Sequence, residues 1–263
     1  MENQFSRTQL LLGKPALNTL ADSRVAVFGV GGVGGYVVEV LARSGVGHID
    51  IIDKDKVDPT NINRQIYALH STVGRYKVDV AAERIHDINP ACVVEKYKMF
   101  YLPQNADEID LTKYDYVADC VDTVTAKLEL IRQCHTLNVP LISSMGAANK
   151  LDPTGFRVTD ISKTKMDPLA KILRKKMRKM NIYHLKVVYS EEPPLIPINT
   201  ADAPEATPGN TTEQSNSSAG SHRPVPASNA FVPAAAGLII GGEIVKDILK
   251  AAGTMRSPET PGT

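Results

Sequence analysis

Apolar residues along this chain keep two rhythms. Short β-branched and apolar runs, from Val25 to Phe28, Ile49 to Ile52, Val93 to Tyr97, Tyr114 to Asp122, Pro140 to Ser144, Phe156 to Thr159 and Leu185 to Tyr189, read as strands. Between them the spacing turns helical. Val37, Val40 and Leu41 mark a helix over 32–44 that Gly45 and Gly47 stop, and Val78, Ala81, Ala82, Ile85 and Ile88 mark one over 75–89. Further helices are expected over 127–137 and from Pro168, capped by Asp167, to Asn181. An apolar, Gly-containing helix is expected over 234–249, and two short helical pieces between Phe5 and Ala21 break at Gly13 and Pro15. Strands alternating with helices of this length predict a doubly wound, Rossmann-like α/β fold. Its sheet is largely parallel with antiparallel later strands, and helices cover both faces.

Composition sets the boundaries. The sequence predicts an ordered unit over 1–198, a Pro-, Ser- and Asn-rich linker or crossover loop over 199–226, a packing helix over 227–253 returning to the same unit, and a disordered tail over 254–263. Of the 263 residues 43% are hydrophobic, enough for a sizeable core. A net charge of only +1 means that any nucleic-acid affinity must come from a local patch. The three cysteines, Cys92, Cys120 and Cys134, form no C-x-x-C pair, which argues against a disulfide framework and against a four-cysteine structural zinc. With no apolar signal core at the N-terminus and no run long enough to span a bilayer, a reducing cytoplasmic location is expected.

The first strand runs into Gly29, Gly31, Gly32 and Gly34, in the G-x-G-x-x-G spacing that turns a strand into a helix and lets a phosphate approach the backbone N–H groups. About twenty residues on, Asp53 follows the second strand, where an acid can hold a ribose hydroxyl. This much fits nicotinamide dehydrogenases as well as adenylating enzymes. The loop beyond it separates them. Asp55, Asn61, Asn63, Arg64 and Gln65, with Lys77 in the next helix, set cationic and amide groups beside the phosphate turn. Such a set suits a triphosphate attacked at its α-phosphate, because charge then builds on non-bridging oxygens and pyrophosphate. Asp122, at the expected end of strand four, lies near the switch point of such a sheet and could hold the accompanying Mg²⁺.

Gly29-x-Gly-Gly-x-Gly34, Asp53-x-Asp55, Asn61-x-Asn-Arg-Gln65, Lys77 and Cys-Val-Asp122 resemble the adenylation core of the ubiquitin-activating-enzyme-like superfamily. Val158 to Ala170, Val187 to Glu192 and Phe231-Val-Pro-Ala-Ala-Ala-Gly-Leu narrow the resemblance to the tRNA threonylcarbamoyladenosine dehydratase branch. The resemblance implies ATP-dependent activation of the threonylcarbamoyl carboxylate on adenosine 37 of tRNA as an acyl-adenylate. Ring closure then releases AMP, with net loss of water. It also implies that Asp53 holds ribose, that Arg64, Gln65 and Lys77 hold phosphates, and that Asp122 serves the metal and the leaving group. Arg7, in Phe-Ser-Arg-Thr-Gln-Leu, matches an arginine that reaches the γ-phosphate from a partner subunit, which implies a homodimer.

Thioester-forming members of the superfamily need a cysteine in the crossover segment; none stands between 190 and 230. Direct attack on the adenylate is therefore expected. A basic helix over 163–180, with Lys171, Arg174, Lys175, Arg178 and Lys179, is the candidate tRNA-binding face. The rival readings are adenylation of a ubiquitin-like or sulfur-carrier protein, and a non-catalytic subunit that retains the fold.

Overall fold

Residues 3–198 and 226–257 are described by a computed structural model. All of the expected 199–226 linker except its last residue, and residues 258–263 of the expected 254–263 tail, lie outside the described residues. Strand β1 (Arg24–Phe28) shows why the apolar runs become a sheet. Side chains of a strand alternate between faces. Val25 and Val27 enter one core with Ile49 and Ile51, while Ala26 and Phe28 enter another with Ile52 and Val117. A strand buried on both faces needs an unbroken apolar run, which is what the sequence has.

The strands β1, β2 (His48–Ile52), β3 (Val93–Tyr97), β4 (Tyr116–Asp119), β5 (Leu141–Ser144), β6 (Phe156–Asp160) and β7 (Lys186–Ser190) form one sheet in the order β3-β2-β1-β4-β5-β7-β6. Every pairing is parallel except β6 with β7. The antiparallel portion is therefore one edge strand; β7, although late in sequence, runs parallel to β5. Strand order reverses between β1 and β4, which places the crevice for a ligand outside their carboxyl ends.

Helices α1 (Ser6–Leu12) and α2 (Lys14–Asp22) precede the sheet, broken at Gly13 as the sequence predicts. On one face lie α2, α3 (Gly34–Ser44), α4 (Lys77–Ile88) and α7 (Val232–Ala251); on the other lie α5 (Val124–Leu137) and α6 (Pro168–Arg178). The closest helix pair is α3 with α7. A Cβ on Gly237 would lie 2.3 Å from the Val33 carbonyl oxygen, and one on Gly241 would lie 2.6 Å from the Val40 Cβ. Beyond α7 the chain folds back: Thr254 and Met255 N–H donate to the Leu249 carbonyl, and Arg256 reaches the Leu10 and Leu11 carbonyls. Residues 254–256, assigned to the tail from composition, are thus tied to the helical layer by backbone bonds that composition does not reveal.

Candidate nucleotide site

The glycine turn is built by close approach. Gly29 has φ +83°, and a Cβ there would lie 2.8 Å from the Cys120 carbonyl oxygen; one on Gly34 would lie 1.8 Å from the Gly29 carbonyl oxygen. Only glycine fits either position. The turn delivers the chain into α3, whose first turn has no side-chain cap, and Gly31, Gly32 and Val33 are partly open to solvent. A helix start of this kind offers N–H groups and a positive dipole end to an anion.

Asp53 directly follows β2. Its carboxylate accepts the Val30 N–H at 2.9 Å and the Asp55 N–H at 2.8 Å, so it braces the turn it stands beside. Burial pushes the Asp53 carboxyl above its usual range, against the pull of Lys77 and of the two N–H donors.

The polar loop from Asp53 to Lys77 is closed at its neck. Val57 N–H donates to the Arg75 carbonyl, Gly74 N–H to Val57, and Lys77 N–H to Asp55. Within it, Asp58 caps a short 3-10 turn over Pro59–Asn61, and the Asn61 side chain returns a bond to the Asp58 N–H at 3.2 Å. Asn61 is therefore buried as a scaffold of the loop. Gln65 is also buried, and its Nε2 lies 3.7 Å from where a Gly31 Cβ would stand. Arg64 lies against Gly32, its Cγ 3.4 Å from the equivalent point. The Arg64 guanidinium donates to the Thr60 carbonyl at 3.0 Å and to Asn63 Oδ1 at 2.8 Å. It meets no carboxylate among the described residues, and burial lowers its pKa. A half-buried guanidinium without a counter-charge, beside an uncapped helix start, fits an anionic ligand such as a triphosphate.

Asn63 donates to the Ser228 carbonyl at 3.1 Å, so the loop also grips the segment leading into α7. Lys77 is the first residue of α4. It is buried and pairs with Asp55 at 3.0 Å, an anion that offsets a cation at a helix start.

Two placements differ from the sequence expectation. Strand β4 ends at Asp119, opposite Phe28, because β1 itself ends there and turns away through Gly29. Asp122 is thus an exposed loop residue three positions beyond the strand, touched by the Thr123 hydroxyl at 3.3 Å. The acid that ends the strand, Asp119, is fully buried and paired with Lys127, and sequence reasoning singled out neither. The signal was present: Lys127 falls in the stripe with Leu130, Ile131 and Cys134 that α5 buries.

The second placement concerns Arg174. Its guanidinium donates to the Ile161 and Thr164 carbonyls and to the Thr164 hydroxyl, tying α6 to the turn before it. Lys171, Lys175, Arg178 and Lys179 remain exposed, while Leu173 and Met177 anchor the helix against α5. Asp167 caps α6 through the Ala170 N–H at 2.8 Å and accepts the Gly146 N–H at 3.2 Å, so the basic helix starts beside the carboxyl end of β5. Arg7 is exposed on α1 and makes no ion pair among the described residues. Burial pushes the thiols of Cys92, Cys120 and Cys134 up to about 11, 12 and 12.

The sequence matches the ThiF family over residues 5–258. The tRNA threonylcarbamoyladenosine dehydratase of Bacillus subtilis (strain 168) is 49% identical over 251 residues, which cover 95% of this chain and 96% of the relative. The chain belongs to the tRNA threonylcarbamoyladenosine dehydratase branch of the ThiF family. The relative of the same name from Escherichia coli (strain K12) is 44% identical over 175 residues, 66% of this chain and 65% of the relative. The structure of the E. coli tRNA N6-threonylcarbamoyladenosine dehydratase TcdA in complex with ATP superposes with a TM-score of 0.80 at 34% identity, covering 95% of both chains. The same enzyme in complex with AMP superposes equally well. The fold alone is shared more widely: the E. coli protein MccB reaches a TM-score of 0.64 at 19% identity.

Proposed function

We propose that this chain is an ATP-dependent tRNA-modifying enzyme that dehydrates threonylcarbamoyladenosine at position 37 of tRNA to its cyclic form. The observation that carries the reading is the Arg64 guanidinium, which meets no carboxylate among the described residues and is set with Gln65 against the glycine turn beside Asp53. Near-full-length similarity to the B. subtilis dehydratase supports the choice of substrate. The carboxylate of the threonyl group attacks the α-phosphorus of ATP and pyrophosphate leaves. The carbamoyl group then attacks the acyl carbon and gives up an N–H proton while AMP leaves with one carboxylate oxygen, so that relative to the free acid the product has lost one water.

In this reading Asp53 orients the ribose. Arg64, Gln65 and the N–H groups around Gly31 and Gly32 take the charge that develops on the phosphates. Lys77 exchanges its Asp55 partner for phosphate, and Asp55, Asn61 and Asn63 shape the loop that presents Arg64 and Gln65. Asp122, exposed beside the glycine turn, holds Mg²⁺, which supplies charge neutralisation when bound. Burial, complete for Cys92 and Cys134 and partial for Cys120, raises all three thiol pKa values and supports direct ring closure without an enzyme thioester.

Lys171, Lys175, Arg178 and Lys179 form the phosphate-binding face for tRNA, with Arg174 as its internal anchor. Arg7 reaches the γ-phosphate from a second copy. Its neighbours support a homodimer, since Leu10 and Leu11 are 81% and 70% exposed and α1 buries no residue in its own chain. The absence of a membrane-spanning helix among the described residues is compatible with a cytoplasmic enzyme.

The test is mass spectrometry of tRNA nucleosides after incubation with enzyme and ATP. Loss of one water from threonylcarbamoyladenosine is expected, and Arg7→Ala or Asp122→Ala should abolish it. Pyrophosphate exchange driven by a small carrier protein, with none driven by modified tRNA, would instead mark a carrier-activating enzyme.

A further inference from the structure

The fully buried ion pair at the switch point has no part in the chemistry just described. Lys127, on α5, is 1% exposed and Asp119, the last residue of β4, is 0% exposed. Lys127 Nζ donates to both Asp119 carboxylate oxygens at 3.1 Å and to the Ser144 carbonyl at the end of β5 at 2.8 Å, with Ser143 Oγ at 3.3 Å. The Ser143 hydroxyl donates to Asp119 Oδ2 at 2.6 Å, and Asp119 Oδ1 accepts the Val121 N–H at 3.3 Å. One lysine thus clasps the carboxyl ends of two neighbouring strands and the start of the loop between β4 and α5.

That loop leans on the phosphate turn. The Cys120 N–H donates to the Phe28 carbonyl at 2.8 Å, and the Cys120–Val121 peptide is what forbids a side chain on Gly29. Asp122 follows at once. Stability alone does not call for charges here, because apolar residues of similar volume usually hold a core as well as a buried ion pair does. What the pair supplies is direction and charge. It fixes the peptide that packs against Gly29, and it offsets the charge of Asp119, which would otherwise set an unpaired anion three residues from Asp122.

We propose that Lys127, through Asp119, is a positioning residue for adenylation: it holds the Cys120–Asp122 loop against the glycine turn and leaves Asp122 as the acid of that loop with no ion pair among the described residues. This rests on the reading of Asp122 given above. The experiment compares Asp119→Asn/Lys127→Met, which removes both charges and keeps the approximate shape, with Ser143→Ala, which removes one hydroxyl from the clasp, and with Asp122→Ala. Melting temperature, KM for ATP and kcat for dehydration are measured on each.

For the double variant a wild-type-like melting temperature, a KM within about threefold of wild type and a kcat lower by about 100-fold are expected, the scale set by a small misplacement of a reacting group. Ser143→Ala should lose about tenfold in kcat on the same basis, with KM unchanged. That variant decides the matter if the double variant does not fold. Wild-type kcat in the double variant, or in Ser143→Ala where the double variant is unfolded, with Asp122→Ala inactive, overturns the proposal alone. Full activity in Asp122→Ala overturns it through its premise.

Discussion

Gly241 and Gly242 are neighbours in one helix and offer a matched test of how tightly α7 is set on α3. Intrinsic helix propensity alone favours Gly→Ala in a helix interior by about 1 kcal/mol. At Gly242 a Cβ meets nothing within 4 Å, so Gly242→Ala should show that gain undiminished. At Gly241 the same atom lies 2.6 Å from Val40 Cβ and 2.9 Å from its Cγ1. Carbon atoms settle at about 3.5–4.0 Å, so α7 must lift from α3 by about 1 Å. Both helices are pinned to the sheet, and forced overpacking of this kind costs about 1–3 kcal/mol.

Gly241→Ala should therefore be neutral to destabilised by about 2 kcal/mol, which is about 1–3 kcal/mol below Gly242→Ala. For a chain of this size, at about 2 °C per kcal/mol, the two variants should melt about 2–6 °C apart. Differential scanning fluorimetry, confirmed by urea titration, reads the difference. Equal melting temperatures would show that the α3–α7 contact is soft and that the close-packing argument is wrong. Gly237→Ala extends the test towards function. Its Cβ would strike the Val33 carbonyl oxygen at 2.3 Å, so the displaced atom belongs to the phosphate turn and ATP binding should weaken along with stability.

Mixing Arg7→Ala with Asp122→Ala protein should restore activity that neither has alone, approaching about a quarter of wild type if a two-fold dimer exchanges subunits at random; no recovery after exchange would place Arg7 outside the partner's site. Glu39 is raised by burial, but bonds from Arg84 and Arg43 outweigh this and hold it below the usual carboxylate range. Its stabilisation is therefore present above the unfolded pKa and is lost as pH falls through the folded one. Glu39→Gln should melt lower than wild type at pH 7, with the gap closing in acid; a gap that widens in acid reverses the sign. Replacing Cys92, Cys120 and Cys134 together by Ala should leave dehydration within about threefold of wild type, since no thiol is ionised at neutral pH, and substrate trapped on any of them in single turnover would contradict this. Lys175→Ala and Arg178→Ala should each weaken tRNA binding and lower its salt slope by about 1, whereas Arg174→Ala should chiefly lower the melting temperature.

Periodicity was enough to find every strand and helix of the sheet layers, because a doubly wound sheet buries its strands on both faces and its helices on one. Element ends were less legible. The run from Tyr114 to Asp122 is apolar enough to be strand throughout, but pairing decides length, and β1 offers no partner beyond Phe28. The glycine spacing, Asp53 and the Arg64–Gln65 pair could be read because their chemistry demands particular residue types at particular offsets. Asp119 and Lys127 stand eight apart on different elements, and nothing local announces that they meet. Arg174 shows the converse. A basic run does not distinguish the arginine that turns inward to bare carbonyls from the lysines that stay in water.

The packing of α7 on α3 also orders events in time. The glycine turn and the helix it opens lie in the first fifth of the chain, yet the surface that covers Val33, Tyr36 and Val40 belongs to the last helix. During synthesis the first half therefore leaves the ribosome with an apolar flank that nothing yet covers. Contacts this distant in sequence form slowly, and the exposed flank is a target for chaperones or for aggregation until the C-terminal helix arrives. A truncation before Val232 should thus yield an insoluble chain rather than a smaller working domain, even though every candidate nucleotide-binding residue precedes that point.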